Sequence, residues 1–386
     1  MKIDLTNSSH HDIWSEIDLE KFRNNIRKMK RLTDGRDILL AIKANAYGHG
    51  AEVICQEAKK EGVRLFGLAT TEEGIALRKA GIRSKLIILT PAVFEQIEDI
   101  IHFELSPNII ERRYAEIISQ EAEKRGKTVL CHIEVETGMG RTGIFWEDAV
   151  GEIVSIARLP NIKIEGIFTH FPIADSFKKE DVKFTQLQIK RFAFVLNKLE
   201  ELGIKIPIVH ISNTAGVMNY PLMGNCIRPG ILAYGLYPSK EVKKKIIVEP
   251  ILEFKTRVVQ VQQFPKDWFI SYGRTYRTNS PTRVAIIRAG YADGLRRSLS
   301  NQGEVLLGGR RCKIIGRVCM DTTMVLIPED MKVNVGDEVI LIGKQGEEKI
   351  TADDMAALVD TINYEILTGI SERVPRVYLG VRNRDD

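Results

Sequence analysis

The run AIKANAYGHG, residues 41–50, carries an apolar stretch to its end at Lys43. A lysine at the C-terminal end of a buried strand is partly desolvated, which lowers its pKa and favours a neutral amine able to form a Schiff base. Taken alone, the position also suits an ordinary rim lysine. The segment that follows favours chemistry, because Asn45 and Gly48 are turn formers that can hold Tyr47 and His49 beside the amine. A second motif, TGMGRTG at 137–143, contains the spacing GxGxxG at Gly138, Gly140 and Gly143. A dinucleotide fingerprint follows the first strand of its unit and meets an acidic residue about 20 positions later. Here the motif follows the fifth strand candidate and residue 160 is a proline, so its glycines are read as letting the backbone approach a ligand and aiming Arg141 at an anion. SNTAG (212–216) and RPGI (228–231) close the seventh and eighth strand candidates, where barrels often place a phosphate among backbone amides and hydroxyls. A phosphorylated ligand is expected there. His170 ends the sixth strand and reads either as a satisfied core histidine or, from its place on the same rim, as a site residue.

These positions imply a scaffold. Between about residue 38 and residue 232, short branched-aliphatic runs alternate with longer amphipathic stretches such as TEEGIALRKAG and FTQLQIKRFAFVLNKLEELG, the signature of βα units. Strands are expected at 37–43, 64–70, 85–91, 104–110, 128–136, 162–170, 207–212 and 225–230. That count is the number of strands in a TIM-type (β/α)8 barrel, whose active site is built at the C-terminal ends of its strands. Beyond Lys243–Lys245 the texture changes to short strands separated by Gly, Pro and Asp, with a hairpin turn at Gly308 and Gly309 and one helix starting at Thr351 behind a capping box with Asp354. The expected fold class is therefore α/β, an N-terminal barrel over 12–245 followed by a C-terminal mostly-β domain over 246–386 that residues 1–11 join.

Composition agrees with an ordinary globular protein. The 386 residues include 44% hydrophobic and 28% charged side chains, far from the composition of disordered or fibrous chains. Basic residues (56) exceed acidic ones (51) by a margin spread along the chain, which predicts no nucleic-acid footprint; the run Lys243–Lys245 is read as a solvated face. No apolar run reaches the ~18 residues of a membrane span, and the charged N-terminus lacks a signal peptide, so a cytoplasmic protein is expected. The 5 cysteines are odd in number and contain no CxxC pair; neither disulfides nor a metal site is suggested.

AIKANAYGHG, TGMGRTG, GIFTHF, HISNTAG, IRPGILAYGLYP, SYGRTY, GYADG, GRVCMD and TINYEILTGISERVPR, in this order, closely resemble the pyridoxal 5′-phosphate (PLP)-dependent alanine racemases of bacteria. The likeness runs from about Trp14 to Tyr378. It implies that Lys43 holds PLP covalently, that Tyr47, Thr214, Gly230, Ile231 and Tyr364 hold the phosphate, with Asn213 in the same loop, and that Arg228 faces the pyridine nitrogen. Thr214 stands where the family usually has serine, a swap that keeps the hydroxyl. Because a guanidinium retains its proton near neutral pH, that nitrogen would stay unprotonated and the ring would be a weaker electron sink. The resemblance further implies that Lys43 serves the D-enantiomer and Tyr272 the L-enantiomer as bases on opposite faces of Cα, with Tyr272 contacting His170 and through it Arg228. Without the family, Tyr272 would read as an ordinary strand aromatic. Arg141 and the backbone near Met320 would grip the substrate carboxylate, Tyr291 and Tyr364 would narrow the entrance, and an antiparallel homodimer would place Tyr272 in the partner's site. Many family members carry a carbamylated lysine seven residues before the substrate arginine; here Glu134 stands there, either orienting Arg141 or pairing elsewhere in the barrel.

The expected activity is L-/D-alanine interconversion, supplying D-alanine for peptidoglycan. A serine or broad-specificity racemase uses the same scaffold. A PLP carrier protein would match the barrel alone, and a PLP decarboxylase of similar shape would need an acidic residue in place of Arg228.

Overall fold

The computed structural model describes residues 10–381. The chain forms two compact units, one of Arg23–Ala46 with Ala51–Glu249, the other of the residues up to Phe22, Tyr47–Gly50 and the chain from Pro250 onward. The first strand, β1 (Ile13–Asp18), falls inside the span expected for the barrel, yet it pairs antiparallel with the strand beginning at Leu252 and parallel with the strand beginning at Arg376. The reason is long-range pairing. Residues 10–12 go with it, since the backbone carbonyls of His11 and Asp12 accept bonds from Arg257, while the rest of the expected 1–11 segment lies outside the described residues.

The barrel ring of the first unit is built from eight parallel strands, β2 (Asp37–Ala41), β3 (Leu65–Leu68), β4 (Lys85–Ile88), β5 (Asn108–Ile109), β6 (Val129–Glu136), β7 (Ile162–Phe168), β8 (Ile208–His210) and β9 (Cys226–Ile227). They pair in the order β4-β3-β2-β9-β8-β7-β6-β5. A parallel bridge between Ile87 and Ser106 joins β4 to the chain entering β5 and closes the ring. Parallel neighbours require crossovers, supplied among others by the helices Ala51–Lys60, Thr71–Lys79, Arg112–Lys124, Ala149–Ala157 and Lys179–Glu201. The last of these buries Thr185, Gln188, Phe192, Val195 and Leu199, a stripe at three- and four-residue spacing that faces the sheet. The expected barrel is present, with its fourth and eighth strands only 2 residues long. Lys243–Lys245 is exposed but not merely solvated: Lys243 and Lys244 sit over the rings of Phe177 and Tyr237, and Lys245 Nζ donates to the Val217 carbonyl at 3.2 Å.

In the second unit, β10 (Leu252–Phe264) pairs with β1, β11 (Thr282–Ile287) and the later strand Glu338–Gln345. β12 (Glu304–Leu307) and β13 (Arg310–Lys313) form the hairpin turned at Gly308 and Gly309, both at positive φ, and β14 (Thr323–Leu326) pairs with β11. β15 (Glu338–Gln345) and β16 (Arg376–Leu379) also belong to the main sheet. The capping box at Thr351 and Asp354 is formed, but the single helix expected behind it is two, Ala352–Leu358 and Asn363–Thr368. Asp360 takes a left-handed conformation at φ 53° and the Thr361 N–H returns to the Ala356 carbonyl, which ends the first helix. The five cysteines are free thiols, four of them buried, and among the described residues no helix is long and apolar enough to cross a membrane.

Candidate active site

Lys43 leaves the end of β2 and begins a turn of unusual hand. Ala44, Asn45, Ala46 and Tyr47 all lie at φ 51–54°, a conformation that costs an L-residue roughly 1–2 kcal/mol each. Outside bonds must hold it. Ala46 N–H reaches the Ile42 carbonyl at 2.7 Å, and the Asn45 side chain accepts from Ala51 N–H at 2.8 Å. Glu73, which sequence reasoning did not select, accepts from Ala44 N–H at 2.6 Å. Burial, followed by the charges of Arg141 and Arg228, lowers the Lys43 pKa, and Glu73 opposes them.

Arg228 crosses the same barrel end. Its Nη1 donates to His210 Nδ1 at 2.7 Å, and its Nη2 donates to His170 Nδ1 at 3.0 Å and to the Thr169 carbonyl at 2.8 Å. Phe168 supports the guanidinium from one face, 5.1 Å from its ring centre. Because Nδ1 of His170 accepts, its proton sits on Nε2 and the ring is neutral; burial first, then Arg228, Arg141 and Lys43, hold its pKa well below the ordinary value. His210 in turn contacts His132 Nδ1 at 2.9 Å. The side-chain space for His132 exists because β7 carries Gly166, where a Cβ would lie 2.1 Å from the His132 ring. His132 and His210 escaped the sequence reading; the one signal for His210 was its place in HISNTAG at the end of β8.

Glu134 and Arg141 are brought onto neighbouring parts of one strand and loop, but not as a bidentate pair. Arg141 Nη2 lies 3.9 Å from Glu134 Oε1, while Glu134 Oε2 accepts from Asn108 at 2.7 Å and Thr142 at 2.9 Å. Glu134 is 2% exposed. The loop folds back tightly over it: Gly143 sits at φ 117°, and a Cβ there would meet the Glu136 nitrogen at 2.9 Å and the Glu134 carbonyl oxygen at 3.0 Å. Arg141 itself is half-exposed.

Thr214, Gly230 and Ile231 lie together, with the Thr214 hydroxyl accepting from Gly230 N–H at 3.2 Å. Asn213 is committed to this loop, its amide bonding the Phe171 carbonyl at 3.0 Å and the Gly216 N–H at 3.0 Å.

The β unit carries the remaining candidates. The Tyr47 and Tyr364 rings are tilted against each other at 5.9 Å. Tyr272 follows Ser271, a non-glycine residue at φ 65° whose hydroxyl is pinned to the Arg317 carbonyl at 2.6 Å, and it is 71% exposed. Tyr291 and Met320, also exposed, sit on two loops joined by the Ala292 N–H bond to the Met320 carbonyl at 3.1 Å. Asp293 is the buried post behind them, accepting from Gly290 N–H at 2.9 Å and from Arg373 at 2.7 Å.

A parallel barrel with a strand-end lysine of lowered pKa, a buried arginine facing two neutral histidines, and a following β domain define a two-domain barrel enzyme of the amine-chemistry class. Family models for the alanine racemase N-terminal and C-terminal domains match residues 17–238 and 251–378. The chain belongs to the alanine racemase family, a family of PLP-dependent racemases. It is 44% identical over 369 residues to the alanine racemase of Carboxydothermus hydrogenoformans, covering 95% of this chain and 99% of the relative. The crystal structure of the Clostridium difficile alanine racemase superposes with a TM-score of 0.91 at 38% identity, covering 96% of each chain. That of the Bartonella henselae enzyme with covalently bound pyridoxal phosphate gives 0.85 at 25% identity, over 96% of this chain and 100% of that one.

Proposed function

We propose that this protein interconverts L- and D-alanine, using PLP held on Lys43, and that it supplies D-alanine for peptidoglycan in a bacterial cytoplasm. The carrying observation is Lys43 itself, an amine at a barrel strand end whose pKa is lowered by burial and by Arg141 and Arg228. The donor set suits the cofactor: Lys43 for its aldehyde, the Thr214 hydroxyl with the backbone at Gly230 and Ile231 for its phosphate together with Tyr47 and Tyr364, and Arg228 for its pyridine nitrogen. Asn213 fixes the phosphate loop, and His170 stands behind Arg228. When bound, PLP withdraws electrons from an attached amino acid and acidifies its Cα–H.

The chain's own groups then manage the proton. Lys43 Nζ takes or returns it on the face used by the D-enantiomer, and the Tyr272 hydroxyl does so for the L-enantiomer, since a single base would return the proton to the face it left. The neutral His170, with its proton on Nε2, suits donation to a tyrosine oxygen and stabilises that oxygen as an anion. Arg141 holds the substrate carboxylate with help from the backbone near Met320, Glu134 orients that arginine, and Tyr291 narrows the entrance. The exposure of Tyr272 supports a homodimer in which each chain lends this residue to its partner's site.

Loss of optical rotation from L- and D-alanine, serine, lysine and arginine tests the reading. Alanine should be turned over with the highest kcat/KM; a preference for serine or for the basic amino acids would replace the substrate while leaving the reaction type, and no racemisation of any of them would overturn both.

A further inference from the structure

We propose that Glu73 is the positioning residue that fixes Lys43 at the barrel rim, by using both carboxylate oxygens to tie the left-handed turn to the end of the neighbouring strand. The proposal rests on Lys43 being the cofactor lysine. Glu73 Oε1 accepts from Ala44 N–H at 2.6 Å, and Oε2 accepts from Ala69 N–H at 2.8 Å. Ala44 follows Lys43 directly, and Ala69 follows β3, the strand paired with β2 through Ala41 and Gly67. One side chain therefore clamps the ends of two adjacent strands.

Glu73 also occupies the third position of the helix Thr71–Lys79, where a capping box with Thr70 accounts for a glutamate. The distances say which duty dominates. Its bond back to Thr70 N–H is 3.4 Å, well beyond the two bonds to Ala44 and Ala69, so the carboxylate is aligned with the lysine turn rather than with the cap. A carboxylate is also the group the geometry needs. Two backbone donors face it from two strands, and an amide would present an N–H to one of them. Its charge acts on Lys43 as well, opposing burial, Arg141 and Arg228; His170 faces the same group as a neutral ring.

The test compares the holoenzyme with Glu73→Gln and Thr70→Ala. Thr70→Ala removes the hydroxyl that accepts from Glu73 N–H and leaves the carboxylate on Ala44, so it should lower the thermal midpoint while kcat stays within about twofold. Glu73→Gln should lower kcat by about tenfold or more with KM for alanine within about threefold, because a displaced base slows the proton step more than binding. Removing the negative charge should also move the acidic limb of the D-alanine kcat profile to lower pH, since Lys43 then loses its proton more readily. A Glu73→Gln enzyme with unchanged kcat and an unmoved limb would overturn the proposal, as would Thr70→Ala reproducing both changes. Borohydride reduction of the parent enzyme separates this from the underlying reading: cofactor trapped on another lysine would remove Lys43 from the chemistry, whereas cofactor on Lys43 with a silent Glu73→Gln would reject the clamp alone.

Discussion

Arg228 donates an Nη1 hydrogen to Nδ1 of His210 at 2.7 Å, and this one bond sets the tautomers of two buried histidines. With Nδ1 occupied as an acceptor, His210 carries its proton on Nε2 and gives it to His132 Nδ1 at 2.9 Å. His132 must then be protonated on Nε2, which lies 3.9 Å from Glu165. A chain of donors thus runs inward from Arg228 and ends near the carboxylate that Lys85 pairs.

Stability should follow this chain. Burial, then Lys85 and Arg228, push the His132 pKa down to about 3, and burial with Arg228 drives His210 well below its ordinary value. Both pKa values are depressed on folding, so the unfolded chain binds more protons below pH ~6.5, with a slope of up to about 1.4 kcal/mol per pH unit for each histidine. Their contribution is complete above that pH and is lost as pH falls below it, for His132 toward about 3. Thermal melts between pH 4 and 8 should show the midpoint rising up to ~6.5 and then levelling as far as these groups are concerned, and His132→Asn should flatten the acidic slope. An equally steep slope in that variant would assign the effect to other groups.

Replacing Lys43 by alanine should remove both the visible absorption of bound cofactor and the activity, the latter by at least about a thousandfold. Peptide mapping after borohydride reduction of the parent enzyme should find the cofactor on Lys43. Retention of the absorption band by Lys43→Ala would refute its assignment.

Tyr272 lies in the β unit and Lys43 in the barrel unit, which allows complementation if the sites are shared. Lys43→Ala and Tyr272→Phe homodimers should each be nearly inactive. After subunit exchange, half the dimers are mixed and half their sites are intact, so activity should recover toward about a quarter of the parent value. Demonstrated exchange with no recovery would place both residues of each site in one chain.

At 3.9 Å from Arg141, Glu134 would play its proposed orienting role through charge rather than through a hydrogen bond. Glu134→Gln can still accept from Asn108 and Thr142, so the fold and cofactor should persist. KM for alanine should rise roughly three- to tenfold with a smaller change in kcat, and bicarbonate should have no effect on the parent enzyme. Unchanged kinetics in Glu134→Gln would leave the buried glutamate a purely structural role.

The order of short apolar runs determined the barrel, because βα alternation is a local pattern that each strand and helix satisfies through its own periodicity. The rim placement of Lys43, Arg141, His170, Thr214 and Arg228 was legible for the same reason, since each ends a recognisable strand or opens its loop. The partner of β1 was not legible: Ile13–Asp18 precedes the barrel in sequence but pairs with strands more than 200 residues away, and pairing at that separation is chosen by the assembled sheet. The break at Asp360 was hidden because one left-handed residue interrupts an otherwise continuous helical pattern. In the sequence Glu73 was only one residue of the helix-like segment TEEGIALRKAG. Its bond to Ala44 spans 29 residues, and only the closing of two adjacent strands brings that carboxylate to the turn that carries Lys43. The same holds for the chain from Arg228 through His210 to His132, whose members come from the residue after β9 and from β8 and β6 and meet only when the barrel closes.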